Sequence, residues 1–81
     1  MIDVEVRLYA ALRKYNPRAR EVGEPMRLQM EEGTSLSYIY EMLKIPVDEV
    51  KRAFVNGIIR DQEYRLSDGD RVAIFPPIAG G

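Results

Sequence analysis

Residue periodicity makes this an α+β chain, with one amphipathic helix laid across one face of a mixed sheet, and two patterns carry that reading. Ile2, Val4, Val6 and Leu8 alternate with Asp3, Glu5, Arg7 and Tyr9, the period of two of a strand with one buried face. Leu36, Ile39, Tyr40 and Leu43 fall instead at i, i+3, i+4 and i+7, one stripe of an α-helix. A half-apolar sheet and a striped helix each need a cover, and each supplies the other's.

The remaining elements follow in chain order. Ala10 to Tyr15 is a short run of good helix formers with Arg13 and Lys14 near its end, where cations suit the helix dipole, and Asn16-Pro17 stops it. Pro17 to Pro25, with its charges and Gly23, reads as a surface loop. Met26, Leu28 and Met30 alternate with polar residues as a second strand, expected to return beside the first and to end at Glu32-Gly33. Thr34 or Ser35 offers a cap for the helix, whose wet side takes Ser37, Tyr38, Glu41 and Lys44 and which Pro46 ends. A single turn over Val47 to Val50 follows.

Ala53 and Val55 lead into Asn56-Gly57, a type I′ hairpin signal because both central residues need positive φ, and Ile58 and Ile59 start the return strand. Ser67-Asp68-Gly69-Asp70 is another turn. It lacks the further acidic ligands and closing Glu of a calcium loop. Arg71 to Phe75 is the last strand, Val72 and Ile74 on one face, Ala73 and Phe75 on the other. Strand, strand, helix and short strands is the order of the β-grasp fold, a mixed sheet of about four to five strands with one main helix on one face. Its first and last strands are expected side by side and parallel at the centre, joined by a right-handed crossover through the helix. Residues 1–75 are the expected domain, and 76–81 a flexible C-terminal tail.

Composition narrows the chemistry. With 81 residues the chain is one domain with a thin core, burying only about 60–65 % of its unfolded surface. It has 46 % hydrophobic and 31 % charged residues and no apolar run near the roughly 20 residues of a membrane span, so a soluble, cytoplasmic protein without a signal peptide is expected. There is no cysteine and no histidine. Disulfides, zinc-finger spacings, Ser-His or Cys-His catalysis and His-rich metal sites are therefore excluded. A net charge of −1 gives no global pull towards nucleic acid or anionic lipid. Arg13, Lys14, Arg18 and Arg20, interleaved with Glu21 and Glu24, read as a solvated face.

After Phe75 the chain runs Pro76-Pro77-Ile78-Ala79-Gly80-Gly81. The prolines fix φ and favour an extended exit, and these six residues at roughly 3.3–3.6 Å each reach about 20 Å. Glycine at the tip lets backbone enter a narrow active site. The reactive group there is the Gly81 carboxylate, which joined to AMP acquires a good leaving group. By strand parity Tyr9 and Phe75 face away from the helix and, on neighbouring strands, form an exposed aromatic pair that Ile59 would join.

Val55-Asn56-Gly57, the stretch Leu66-Ser67-Asp68-Gly69-Asp70-Arg71-Val72-Ala73-Ile74-Phe75-Pro76-Pro77-Ile78-Ala79-Gly80-Gly81, and the opening Val6-Arg7-Leu8-Tyr9-Ala10 followed by Arg13 resemble the MoaD/ThiS family of ubiquitin-like sulfur carriers. The resemblance implies that an ATP- and Mg-using, MoeB-like adenylating enzyme activates Gly81 and that a persulfide donor converts it to a thiocarboxylate. It further implies a sulfur-donor subunit, no catalyst alone, that inserts its tail into a MoaE-like large subunit of molybdopterin synthase. No cofactor bound by this chain, no metal, no nucleic acid and no membrane are implied. Phe75-Pro76-Pro77 before Gly80-Gly81 favours the MoaD branch over the thiazole-forming ThiS branch. Family members use apolar residues at the positions of Tyr9, Ile59 and Phe75 against both partners, and Arg13 would pair with a partner carboxylate. Pro76, Pro77, Ile78 and Ala79 would line the partner's channel. A ubiquitin-like modifier joined through Gly81 to lysines, and a non-covalent β-grasp binding module, RNA-binding ones included, are the alternatives.

Overall fold

The N-terminal alternation becomes strand β1 (Ile2–Leu8), with Ile2, Val4, Val6 and Leu8 buried and Asp3 and Arg7 exposed. The computed structural model describes residues 1–16 and 24–77. Strand β2 (Met26–Met30) returns antiparallel along β1, with Val4 opposite Leu28. On the other side of β1 lies the last strand, parallel to it, with Val6 opposite Val72 and Leu8 opposite Ile74. That strand, β5 (Arg71–Phe75), pairs antiparallel with β3 (Arg52–Val55), which pairs antiparallel with β4 (Ile58–Ile59). The order is β2-β1-β5-β3-β4, with helix α1 (Leu36–Leu43) as the main helix: a ubiquitin-like β-grasp, as the element order predicts.

The helix stripe is core: Leu36, Ile39 and Tyr40 are buried and Leu43 packs partly buried against them. The start of α1 differs from expectation. Ser35 occupies the cap position but makes no side-chain cap bond, sharing a hydrogen bond with Ser37 Oγ instead, while Thr34 Oγ1 donates to the Glu31 carbonyl. The exposed amides of the first turn are met by backbone: Leu36 N–H donates to Tyr64 O and Ser37 N–H to Gln62 O, both at 2.8 Å. The segment after β4 thus does the work expected of a side-chain cap. It also explains why β4 is only two residues long. Past Arg60, whose N–H still reaches Ala53 O, the chain leaves the sheet edge for the helix.

The helix expected over Ala10 to Tyr15 is a 3₁₀ helix (Ala10–Tyr15). Tyr9 N–H is held by Ile74 O, Ala10 sits at φ 51°, and Leu12 N–H closes on Tyr9 O, three residues back. A chain that must leave the sheet and at once bury Leu12 winds tighter than an α-helix. A second 3₁₀ turn spans Val47–Glu49. The two are pinned together: Tyr15 donates its phenol to Glu49 Oε2 at 2.8 Å, and Lys14 Nζ lies 3.5 Å from Glu49 Oε1. That carboxylate holds the Tyr15 phenol above its usual range, through the hydrogen bond first. Most of the loop expected over Pro17 to Pro25, and Arg18, Arg20 and Glu21 with it, lies outside the described residues.

Both predicted turns form. Asn56 (φ 53°) and Gly57 (φ 82°) have the two positive φ values of a type I′ hairpin. Gly69 (φ 84°) closes the other turn, with Asp70 N–H on Ser67 O. Buried Asp70 accepts from Asn56 Nδ2 and from Ser67 N–H, and Asp68 accepts from Asp3 N–H, so these carboxylates bind backbone and amide donors. The core lies between α1 and one sheet face and takes in Ile2, Val4, Val6, Leu8, Leu12, Leu66, Val72 and Ile74. Truncating a fully buried Leu or Ile costs about 2–5 kcal/mol, a large share of the roughly 5–15 kcal/mol that stabilises a domain. Among the described residues no helix is long and apolar enough to cross a membrane.

The C-terminus of α1 stops at Lys44, in the left-handed region at φ 58° and ψ 39°, with Ile45 N–H reaching back to Tyr40 O. The helix therefore ends before Pro46, by a left-handed cap filled by a side chain where glycine would be unstrained. Lys44→Gly is expected to stabilise the fold by about 0.5–1 kcal/mol and raise Tm by roughly 2–8 °C. A melting temperature at or below wild type would count against strain at this cap.

Burial pushes the Tyr40 phenol from 10.0 up to about 12. The stabilisation of its neutral form is fully present below about pH 10 and is lost as pH rises through about 12, since the unfolded chain releases the proton first. Stability is expected to fall across that window by about 1.4 kcal/mol per pH unit. In a spectroscopic titration the Tyr40 phenol should ionise at about 12. Tyr40→Phe should remove the late step and flatten the loss of stability; an unchanged alkaline profile would refute the assignment.

Candidate functional site

The face of the sheet away from α1 gathers the residues singled out by parity. Tyr9 N–H donates to Ile74 O at 3.2 Å, extending the β1–β5 ladder one step beyond the strand and setting Tyr9 beside Phe75. Their rings stack, centroids 4.5 Å apart and planes 6° from parallel. Phe54 meets Phe75 edge to face at 5.6 Å and 87°. Ile59 is opposite Phe54 across the hairpin and is 58 % exposed. Tyr9, Phe75, Phe54 and Ile59 thus form an apolar row across β1, β5, β3 and β4, the joined patch that parity predicts. Both Tyr9 and Phe75 are half-buried, because each covers the other. Sequence reasoning missed Phe54. The signal was present: a two-residue turn at Asn56-Gly57 forces Phe54 opposite Ile59, and buried Ala53 and Val55 force it onto the open face.

Phe75 is also the root of the tail. Lys51 N–H donates to Phe75 O at 2.8 Å, so the last strand residue is held by backbone from β3's side and by ring stacking from β1's. Pro76 is half-buried and Pro77 exposed. Ile78, Ala79, Gly80 and Gly81 lie outside the described residues.

Arg13 stands in the 3₁₀ helix that follows Tyr9, half-buried, next to the fully buried Leu12. Its Nε is buried and has no hydrogen-bond partner among the described residues. A desolvated donor costs roughly 1–3 kcal/mol until something accepts from it. Arg52 lies on the open face directly opposite Phe75, and further down are Arg7, Arg27 and Arg71 with Asp3 and Glu5, Arg7 Nε lying 3.2 Å from Glu5 Oε2. Among the described residues no group of acidic side chains gathers to hold a metal ion. The chemistry this arrangement offers is docking by the open face and presentation of whatever follows Phe75.

The ThiS family model matches residues 6–81. A Pyrococcus furiosus protein described as a candidate subunit 1 of molybdopterin converting factor has a similar structure, at TM-score 0.73 and 24 % identity over 96 % of this chain and 100 % of its own. Small archaeal modifier protein 1 of H. volcanii superposes at TM-score 0.73 and 17 % identity, again over 96 % and 100 %. A chain in the complex of subunits 1 and 2 of the Helicobacter pylori molybdopterin-converting factor does so at TM-score 0.63 and 24 % identity, over 99 % and 100 %. At these identities the likeness is one of fold. No curated protein matches the sequence significantly. With nearly its whole length matched, from the middle of β1 through the tail, the chain belongs to the ThiS family.

Proposed function

We propose that this protein is a sulfur carrier of the MoaD type, the small subunit of a molybdopterin synthase, bearing sulfur as a thiocarboxylate on Gly81 for molybdenum or tungsten cofactor synthesis. The observation that carries the reading is the fixed root at Phe75 followed by Pro76-Pro77 and, at the tip, Gly80-Gly81. A carrier needs a body that binds partners and a bare strand that reaches into their active sites.

In the proposed cycle a Gly81 carboxylate oxygen attacks the α-phosphorus of ATP, held with Mg by a MoeB-like activating enzyme, and pyrophosphate leaves. The outer sulfur of a donor persulfide then displaces AMP from the acyl carbon, and a second donor thiol cleaves the resulting acyl disulfide, releasing the thiocarboxylate and leaving the donor as a disulfide; free sulfide displaces AMP to give the thiocarboxylate directly. The thiocarboxylate is delivered inside a MoaE-like large subunit; the complex of subunits 1 and 2 of the Helicobacter pylori molybdopterin-converting factor, one chain of which shares this fold, supports a partner subunit. Both partners would dock on Tyr9, Phe54, Ile59 and Phe75, with Pro76, Pro77, Ile78 and Ala79 threading the channel. A partner carboxylate would satisfy Arg13 Nε. The protein-modifier reading is favoured by one observation, the equal TM-score of 0.73 to small archaeal modifier protein 1. It shares the adenylation step and differs in the acceptor, a lysine amine in place of sulfur.

Incubation with ATP, Mg, the activating enzyme and a sulfide source is expected to add about 16 Da, one oxygen replaced by sulfur, confined to the C-terminal peptide. Deleting Gly81 or appending one residue should abolish the gain while leaving Tm unchanged. No gain with a demonstrably active enzyme would sink the carrier reading, and adducts joining Gly81 to protein lysines would install the modifier in its place.

Phe75→Ala is expected to weaken binding to the large subunit by about tenfold or more, because interface aromatics carry a disproportionate share of binding energy. Its folding cost should be smaller than that of a core Leu or Ile truncation, since Phe75 is only half-buried. Equal affinity of the variant and wild type, compared by calorimetry, would remove the patch from the interface.

A further inference from the structure

The open face has relief as well as chemistry. Ala73 is its small residue, half-buried, directly opposite Phe54 on β3 and Arg7 on β1, and flanked along β5 by Arg71 and Phe75. Four large side chains around one methyl leave a shallow open depression, with Phe54 and Phe75 on one side and Arg7 and Arg71 on another. Charge is lopsided there too. Glu5 lies opposite both Arg27 and Arg71 and is already bonded by Arg7. Arg27, Arg52 and Arg71 are exposed and make no ion pair among the described residues. Four arginines against Asp3 and Glu5 make this a basic face on a chain whose net charge is −1.

We propose that the open face receives a protein surface in which one apolar side chain, seated on Ala73 against the wall made by Phe54 and Phe75, is flanked by carboxylates that meet Arg52 and Arg71. The floor and one wall of the depression are hydrocarbon, so the knob that fills it is apolar. The polar rim holds Glu5, Arg7 and Arg71, with Arg52 just outside it opposite Phe75. Glu5 is engaged by Arg7, which leaves Arg52 and Arg71 without an ion pair among the described residues, so the groups that meet them are anionic, and planar carboxylates match the arginine fork. A protein fits better than a nucleic acid. Tyr9 and Phe75 spend a ring face on each other and Phe54 meets Phe75 edge-on, so the rings form a continuous apolar surface more than a set of free stacking platforms. The acidic remainder of the chain also opposes a long polyanion but not a compact acidic patch. The carrier reading enters only in the choice of probe, the large synthase subunit from the same genome.

The test measures binding of that subunit to wild type, Ala73→Leu and the double variant Arg52→Glu, Arg71→Glu. All substituted positions lie on the open face, so the melting temperature should hold and keep loss of binding separate from loss of fold. Ala73→Leu fills the depression and should weaken binding about tenfold or more at every salt concentration. Charge reversal should weaken it by a similar factor at roughly 0.05 M salt, with the deficit shrinking towards roughly 0.5 M, and wild-type association should slow over the same range. Wild type that binds while both variants bind equally well would overturn this inference and leave the carrier reading standing. Wild type that binds neither the large subunit nor the activating enzyme would overturn both. Capture of a labelled single-stranded RNA by wild type, lost on charge reversal, would reassign the face to nucleic acid and overturn the protein partner.

Discussion

The parallel pairing of β1 with β5 is the constraint on which the rest depends. Two parallel neighbours cannot be joined by a hairpin, so the chain must cross over, and α1 is the crossing element that covers one face. The same pairing brings Tyr9 and Phe75 together from opposite ends of the sequence. Because both lie just beyond buried residues, Leu8 and Ile74, parity throws them onto the face that the helix leaves open. The stacked pair and the direction in which the tail leaves are two consequences of one ladder. Truncating Leu8 or Ile74 would therefore disturb the root of the tail as well as the core.

The ladder is locked at its far end by polar groups. Asp70 sits almost fully buried at the entrance to β5, its carboxylate shared between Asn56 Nδ2 and Ser67 N–H, its carbonyl accepting from Glu5 N–H. Asn56 in turn receives Arg71 N–H on its side chain and gives its own N–H to Arg71 O. Thus the β3–β4 hairpin, the Gly69 turn and the start of β1 all converge on the first residues of β5. A buried carboxylate with a donor on each oxygen is tolerable, and losing one donor would leave that oxygen unsatisfied in a low-dielectric surround. Register is fixed at both ends: by this network below, and by Lys51 and Tyr9 N–H groups at the tail root above.

Much of this was legible in the sequence because period-two and period-3.6 patterns report burial directly. The strands, the helix stripe, both turns and the placement of Tyr9, Phe75 and Ile59 on one face follow from those periods and from two positive-φ turns. What stayed hidden has a different physical origin. Capping of α1 by the carbonyls of Gln62 and Tyr64 is a long-range backbone event, and a Ser at the right place suggests the wrong donor. The 3₁₀ winding at Ala10–Tyr15 is imposed by the tertiary tether at Tyr9, where propensity alone favours an α-helix. The depression at Ala73 is a deficit of volume, visible only once its four cross-strand and flanking neighbours are known. Likewise the buried Arg13 Nε depends on how the 3₁₀ helix lies on the sheet.

A single helix on one side divides the labour of so small a domain. Stability resides in the covered face, where Val4, Val6, Val72 and Ile74 are almost wholly buried. The open face contributes little to the core, so its side chains are free to be selected for binding at small folding cost, which is how four arginines and an aromatic row can occupy adjacent strands. The two roles meet at Phe75, which closes the last strand, stacks in the row and starts the tail. Under the proposed function, a partner gripping the ring row would thereby fix the direction in which Pro76 leaves the last strand. In the proposed carrier reading, a root held at Phe75 would lower the entropic cost of orienting the segment that follows it in a partner's active site.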